Sequence, residues 1–153
     1  MNDFQHAIAT VIAELTPQPW DYTDGTGATL TVIPAGMRAD AGCAEVYVRV
    51  TASHTEAAWV GITTADMPAL LDALEAGTAW THDTILHDSL TLAFNEDGAI
   101  TLTVTEFDWT TASRDDSTAT VHLPAGQRLP LASALARATD HARGWEDAPE
   151  GDA

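Results

Sequence analysis

Threonine and other polar residues alternate with aliphatic side chains along much of this chain, and that period of two limits what it can fold into. Leu30 and Val32 alternate with Thr29 and Thr31, and Val46, Val48 and Val50 with Tyr47 and Arg49. Leu90, Leu92 and Phe94 lead through Asn95-Glu96-Asp97-Gly98 into Ile100, Leu102 and Val104. Successive side chains on a strand point to opposite faces, so each run is a half-buried strand with one apolar face. The polar residues ending in glycine between two of the runs are hairpin chemistry. Trp59, Val60 and Ile62 supply a third strand to the first half, Val121 and Leu123 a third to the second. The opposite face carries Thr29, Thr31, Thr91, Thr101, Thr103 and Thr105. Threonine favours strands and tolerates water, so this face is expected to be exposed.

Elsewhere the period changes to that of a helix. Phe4, Ile8, Val11, Ile12 and Leu15 predict a helix over 3–15, ended by Pro17 and Pro19, and residues 21–27 (Asp-Tyr-Thr-Asp-Gly-Thr-Gly) read as a turn. Met67, Leu70, Leu71 and Leu74 share a helix face, with Thr63 or Thr64 as cap, Pro68 in the first turn and Gly77 beyond the end. Pro130 opens another helix carrying Leu131, Ala134, Leu135 and Ala138. Each half therefore reads βββα, a pattern compatible with duplication. The predicted fold class is α+β in the order α-βββ-α-βββ-α: a mainly antiparallel sheet of about six strands with helices on one face. The predicted organisation is a single domain over 1–145, with halves at 28–77 and 88–143, and an acidic disordered tail over 146–153.

Charge sets the functional expectations. The 153 residues carry 23 Asp and Glu against six basic residues, all arginine, for a net charge of -17. Acids at about 15% are near ordinary abundance while cations at about 4% are depleted, given that charged residues of both signs together usually make up about 25%. A genome that encodes arginine in preference to lysine gives this pattern, and so does a surface that meets a cationic partner. Phosphate binding draws on Lys and Arg clusters, so the sequence predicts a basic protein partner and no direct nucleic-acid binding. A P-loop is excluded without lysine, and no Gly-x-Ser-x-Gly nucleophile turn occurs. One cysteine, Cys43, no apolar run near the ~20 residues of a membrane helix and no signal-like N-terminus predict a soluble cytoplasmic protein without membrane contact.

Candidate sites are sparse. His82 and His87 lie in an imperfect His-Asp repeat, but a gap of five puts them on opposite faces of a strand. With His54 they are the only metal candidates, nothing fixes a converging third ligand, and no cofactor is expected. Cys43 with His54 has the residue types of a thiolate–imidazole pair, although a lone cysteine more often serves as a small buried hydrophobe. Glu106-Phe107-Asp108-Trp109 sets aromatics among acids at a strand end, a pattern that suits a cationic group.

The stretch from about 28 to 140 resembles a family of small actinobacterial domains of unknown function. The resemblance is carried by Trp59-Val-Gly-Ile, by Asp66 entering a Leu-rich helix that ends Ala76-Gly77, by Asp88-Ser-Leu-Thr-Leu and by Gly98-x-Ile-x-Leu-x-Val. It implies a shared plan and no established activity.

The expected function is that of a non-enzymatic inhibitor of immunity or anti-defence type, docking on a basic protein surface. Glu96, Asp97, Glu106, Asp108, Asp115 and Asp116 would make its contacts, with Trp109 and Trp80 as anchors. The alternatives are a small ligand-binding domain or uncharacterised enzyme, and a mimic of nucleic acid.

Overall fold

The computed structural model describes residues 19–33, 45–52, 57–84, 87–107 and 117–146. The predicted N-terminal helix and the segment 147–153 lie outside them, as do Cys43, His54, Asp108, Trp109, Asp115 and Asp116.

The chain folds as two four-stranded antiparallel sheets, each followed by a helix. The first sheet runs β1 (Trp20–Thr23), β2 (Thr29–Ile33), β3 (Glu45–Thr51) and β4 (Ala57–Thr63), in that spatial order, and leads to α1 (Met67–Ala76). The second runs β5 (Trp80–Asp83), β6 (Ser89–Phe94), β7 (Ile100–Glu106) and β8 (Ser117–Leu123), leading through a short 3-10 turn to α2 (Arg128–Glu146). The α+β class stands; the single sheet of about six strands with helices on one face does not. Two of the eight described strands, β1 and β5, are not predicted by the alternation, and both begin with tryptophan. Residues 21–23 of the expected turn belong to β1, and Trp80, expected as a docking anchor, begins β5. Each is four residues long and half-buried, so its apolar signal is two aromatic or imidazole rings rather than an aliphatic run. Edge strands are often this short.

Alternation is carried through faithfully. Val46, Val48 and Val50 are buried on β3, Ala58, Val60 and Ile62 on β4, and Leu102 and Val104 on β7, in register with Ala119 and Val121 on β8. These inward faces meet where β3 and β4 lie against β7 and β8, and together with the helices they form one core. Each fully buried aliphatic side chain contributes roughly 1.5–3 kcal/mol. On α1, Met67, Leu70, Ala73 and Leu74 are the buried residues. Asp66 stands at its N-cap position, where Thr63 Oγ1 accepts its backbone N–H and donates to its carboxylate. Gly77 ends the helix at φ 70°, a left-handed conformation that glycine adopts without steric cost. On α2, Leu131, Ala134, Leu135, Ala138 and Ala142 recur at helical spacing, and the helix packs on α1, β2 and β3. Its buried Thr139 hydroxyl donates to the Leu135 carbonyl, so no polar group is stranded there.

One carboxylate ties the two sheets together. Asp24, in the β1–β2 turn, accepts Thr26 N–H (2.8 Å), the Thr26 hydroxyl (2.7 Å) and Ala28 N–H (3.0 Å) on one oxygen. Its other oxygen accepts the N–H of His122 on β8 at 2.9 Å. Burial pushes the Asp24 carboxyl up, but the hydrogen bonds from Thr26, His122 and Ala28 outweigh it and bring it down from 3.8 to about 2.

Among the described residues no helix is long and apolar enough to cross a membrane.

Candidate functional site

The outward faces of the two sheets differ in chemistry, because the alternate positions that do not build the core were filled differently. On the second sheet they are almost all hydroxyls: Thr101 hydrogen-bonds His122 Nδ1 (3.3 Å), Thr103 pairs with Thr120 (3.0 Å) and Thr105 with Thr118 (3.1 Å). These cross-strand pairs support the sheet. On the first sheet the same positions hold Glu45, Tyr47 and Arg49 on β3, facing Thr63, Gly61 and Trp59 on β4.

That second group forms a platform. Arg49 lies over the Trp59 ring, its guanidinium carbon 5.0 Å from the centroid. Tyr47 meets Trp59 edge-on across the diagonal, with centroids 6.4 Å apart at 74°. Such contacts hold a cation and two rings in place. Arg49 also donates from Nη2 to Thr31 Oγ1 at 3.4 Å, while its buried Nε has no acceptor among the described residues. The guanidinium is thus positioned mainly by the ring. Trp59 was grouped with Val60 and Ile62 in the sequence, but strand alternation sends it to the opposite face from those two.

Beside the platform is a cleft of about 390 Å³ lined by Glu45, Tyr47, Trp59, Val60, Gly61, Asp88 and Glu106. It opens where the edge strand β4 meets the ends of β6 and β7. Glu106 Oε1 accepts the outward backbone N–H of Trp59 at 3.3 Å, satisfying a donor that an edge strand would otherwise present unpaired. Asp88 Oδ1 accepts the Phe107 N–H at 2.8 Å. Among the described residues no hydrogen bond uses the Glu45 carboxylate, which lies over Gly61: a Cβ there would overlap the Glu45 carboxylate oxygen. Burial, then the nearby Asp88 charge, raises the Glu45 carboxyl above its usual range, and burial with Glu45 likewise raises the Tyr47 phenol. The cleft therefore offers two aromatic rings and hydrogen-bond acceptors, with the Arg49 guanidinium on the platform beside it.

Most residues expected to carry function are not gathered here. Glu96 and Asp97 are exposed on the β6–β7 hairpin, where Asp97 accepts the Ala99 N–H at 3.0 Å and shapes the turn. Trp80 packs against the core and stacks on His82, with centroids 5.4 Å apart at 1°, so it is no projecting anchor. His82 Nε2 lies 3.7 Å from Asp66, while His87 packs on Phe107 at 5.6 Å. Among the described residues no three His, Cys, Asp or Glu converge as a metal site. Among the described residues, Glu106 is the one member of the expected set that lines the cleft. Glu45, Tyr47, Arg49, Trp59, Gly61 and Asp88 were passed over; the signal was the filling of outward strand positions with aromatics and arginine instead of threonine.

No protein-family model and no curated protein matches the chain. Solved structures do. The likeness overturns two expectations built on charge: that the protein is an inhibitor docking on a basic protein, and that it makes no direct contact with nucleic acid. Those expectations equated nucleic-acid binding with phosphate neutralisation, whereas single strands are also held by base stacking on aromatics, which needs no lysine. Over 86% of this chain and 93% of the other, the fold matches WHY1 from Arabidopsis thaliana at TM-score 0.63 and 12% identity. WHY3 from the same plant matches at 0.58 and 14%, covering 84% of this chain and 90% of its own. The plant transcriptional regulator PBF-2 matches at 0.59 and 16%, covering 87% of each, and the chain is thus similar in fold to these Whirly-like proteins.

Proposed function

We propose that the protein is a regulator that binds single-stranded nucleic acid, taking unpaired bases onto Trp59 and Tyr47. The observation that carries this reading is the Arg49–Trp59–Tyr47 platform beside an open cleft. Bases of any identity have a π-face that stacks on an aromatic ring, and in a duplex those faces are already taken by neighbouring bases. The fold shared with a plant transcriptional regulator supports the same direction. With a net charge of -17, affinity comes from stacking and base-edge hydrogen bonds rather than from released counterions.

The test is fluorescence anisotropy of a labelled single-stranded oligonucleotide and its duplex. The single strand is expected to bind and the duplex to bind far more weakly. Trp59→Ala is expected to weaken single-strand binding by about thirtyfold, the middle of the range for one lost stacking partner. An absence of single-strand binding, or a folded Trp59→Ala variant that binds as wild type, overturns the reading.

A further inference from the structure

We propose that Glu45 reads the hydrogen-bond donor edge of an unpaired guanine stacked in the cleft, so that the protein prefers guanine-bearing single strands. This rests on the single-strand reading above and adds to it which base the site selects.

A stacking platform alone is indifferent to base identity. Discrimination comes from polar groups at the ring edge, and here those groups are carboxylates, which accept and do not donate when ionised. Asp88 and Glu106 each already commit an oxygen to a backbone N–H. Glu45 alone among the three enters no hydrogen bond with the described residues, and it stands next to Tyr47 and Trp59 in the cleft wall. Guanine presents two adjacent donors, N1–H and the N2 amino group, which match the two oxygens of one carboxylate. Cytosine and adenine place their amino donor beside a ring-nitrogen acceptor, and thymine flanks its single N–H with two carbonyls. Each of those edges sets an acceptor against the carboxylate.

The position of Glu45 is built rather than incidental. Gly61 faces Tyr47 in the ladder, and the missing Cβ is the space the Glu45 carboxylate occupies. The atom that an added Cβ would meet is the far end of a flexible side chain, so Gly61→Ala displaces the carboxylate without requiring the backbone to move. Holding an acid there against burial and Asp88 has a stability cost that an unused surface residue would not carry.

The experiment measures anisotropy titrations of thymidine oligonucleotides with one central dG, inosine or dA. Inosine keeps N1–H and lacks only the N2 amino group. Wild type is expected to bind the dG strand roughly tenfold more tightly than the inosine strand, as for one lost member of a bidentate pair. Glu45→Gln and Gly61→Ala are expected to bring that ratio close to one; a ratio taken within each variant is insensitive to any general loss of affinity. Equal binding of dG and inosine strands by wild type overturns the guanine assignment and leaves single-strand binding standing. A preference that persists in Glu45→Gln and Gly61→Ala overturns the role of Glu45. Failure of every strand to bind overturns both proposals.

Discussion

Replacing Asp24 by asparagine is expected to loosen the joint between the two sheets, in a way that depends on pH. The carboxylate accepts three hydrogen bonds on one oxygen within its own turn and one from His122 N–H on the other. An asparagine oxygen can retain the first three, but its amino group then faces the His122 donor, and the charge is gone. The size of the charged contribution follows from the lowering of the carboxyl from 3.8 to about 2. At about 1.36 kcal/mol per pH unit this is roughly 2.5 kcal/mol. The folded value lies below the unfolded one, so this stability is fully present above about pH 4 and is lost as pH falls through about 2. Near neutral pH, Asp24→Asn should therefore cost about 2.5 kcal/mol, or roughly 5–10 °C in Tm for a chain of this length. Urea denaturation of both proteins followed by tryptophan fluorescence, at about pH 7 and at successive values down to about 2, measures it. Taking the difference between the two proteins cancels the titration of the other acids. A difference that does not shrink on acidification, or one below about 0.5 kcal/mol at neutral pH, refutes the assignment of this stability to the Asp24 carboxylate.

Glu45→Gln should raise the Tm at neutral pH. The folded-state carboxyl is raised, first by burial and then by Asp88, so its ionisation opposes folding, and the gain should vanish on acidification below the ordinary carboxylate range. Calorimetry at both extremes checks this. Gly77→Ala should destabilise by about 1 kcal/mol, because the residue ends α1 at φ 70° and a Cβ there would meet the Arg128 guanidinium at 3.2 Å; chemical denaturation reads it. Single-strand affinity should stay flat or rise between about 20 and 200 mM salt, since screening relieves repulsion between two anions and few counterions are released. A steep fall in anisotropy-measured affinity with salt would show phosphate contacts to dominate.

The core was readable because burial of alternate aliphatics is a local property: the residues named at Val46, Val48, Val50, Leu90, Leu92, Leu102 and Val104 are the ones buried. The turn at Asn95–Gly98 and the helix end at Gly77 were readable for the same reason. Which strands share a sheet was not, since that depends on long-range pairing, and the short Trp20 and Trp80 strands leave almost no aliphatic trace. The cleft was the hardest to see. Glu45, Trp59, Asp88 and Glu106 are distant in sequence, and their convergence follows from β4 lying at the edge of one sheet against the end of β7 in the other. Net charge misled because it sums over the whole surface, whereas a stacked base samples one platform.

The most direct test of the central claim is an amide and indole chemical-shift map of the labelled protein titrated with a short single-stranded oligonucleotide containing one guanine. The platform account expects the largest shifts at Glu45, Tyr47, Arg49, the Trp59 indole and Gly61, with the threonine pairs on the second sheet little changed. Saturating shifts confined to other surfaces, or no shifts at all, would contradict it.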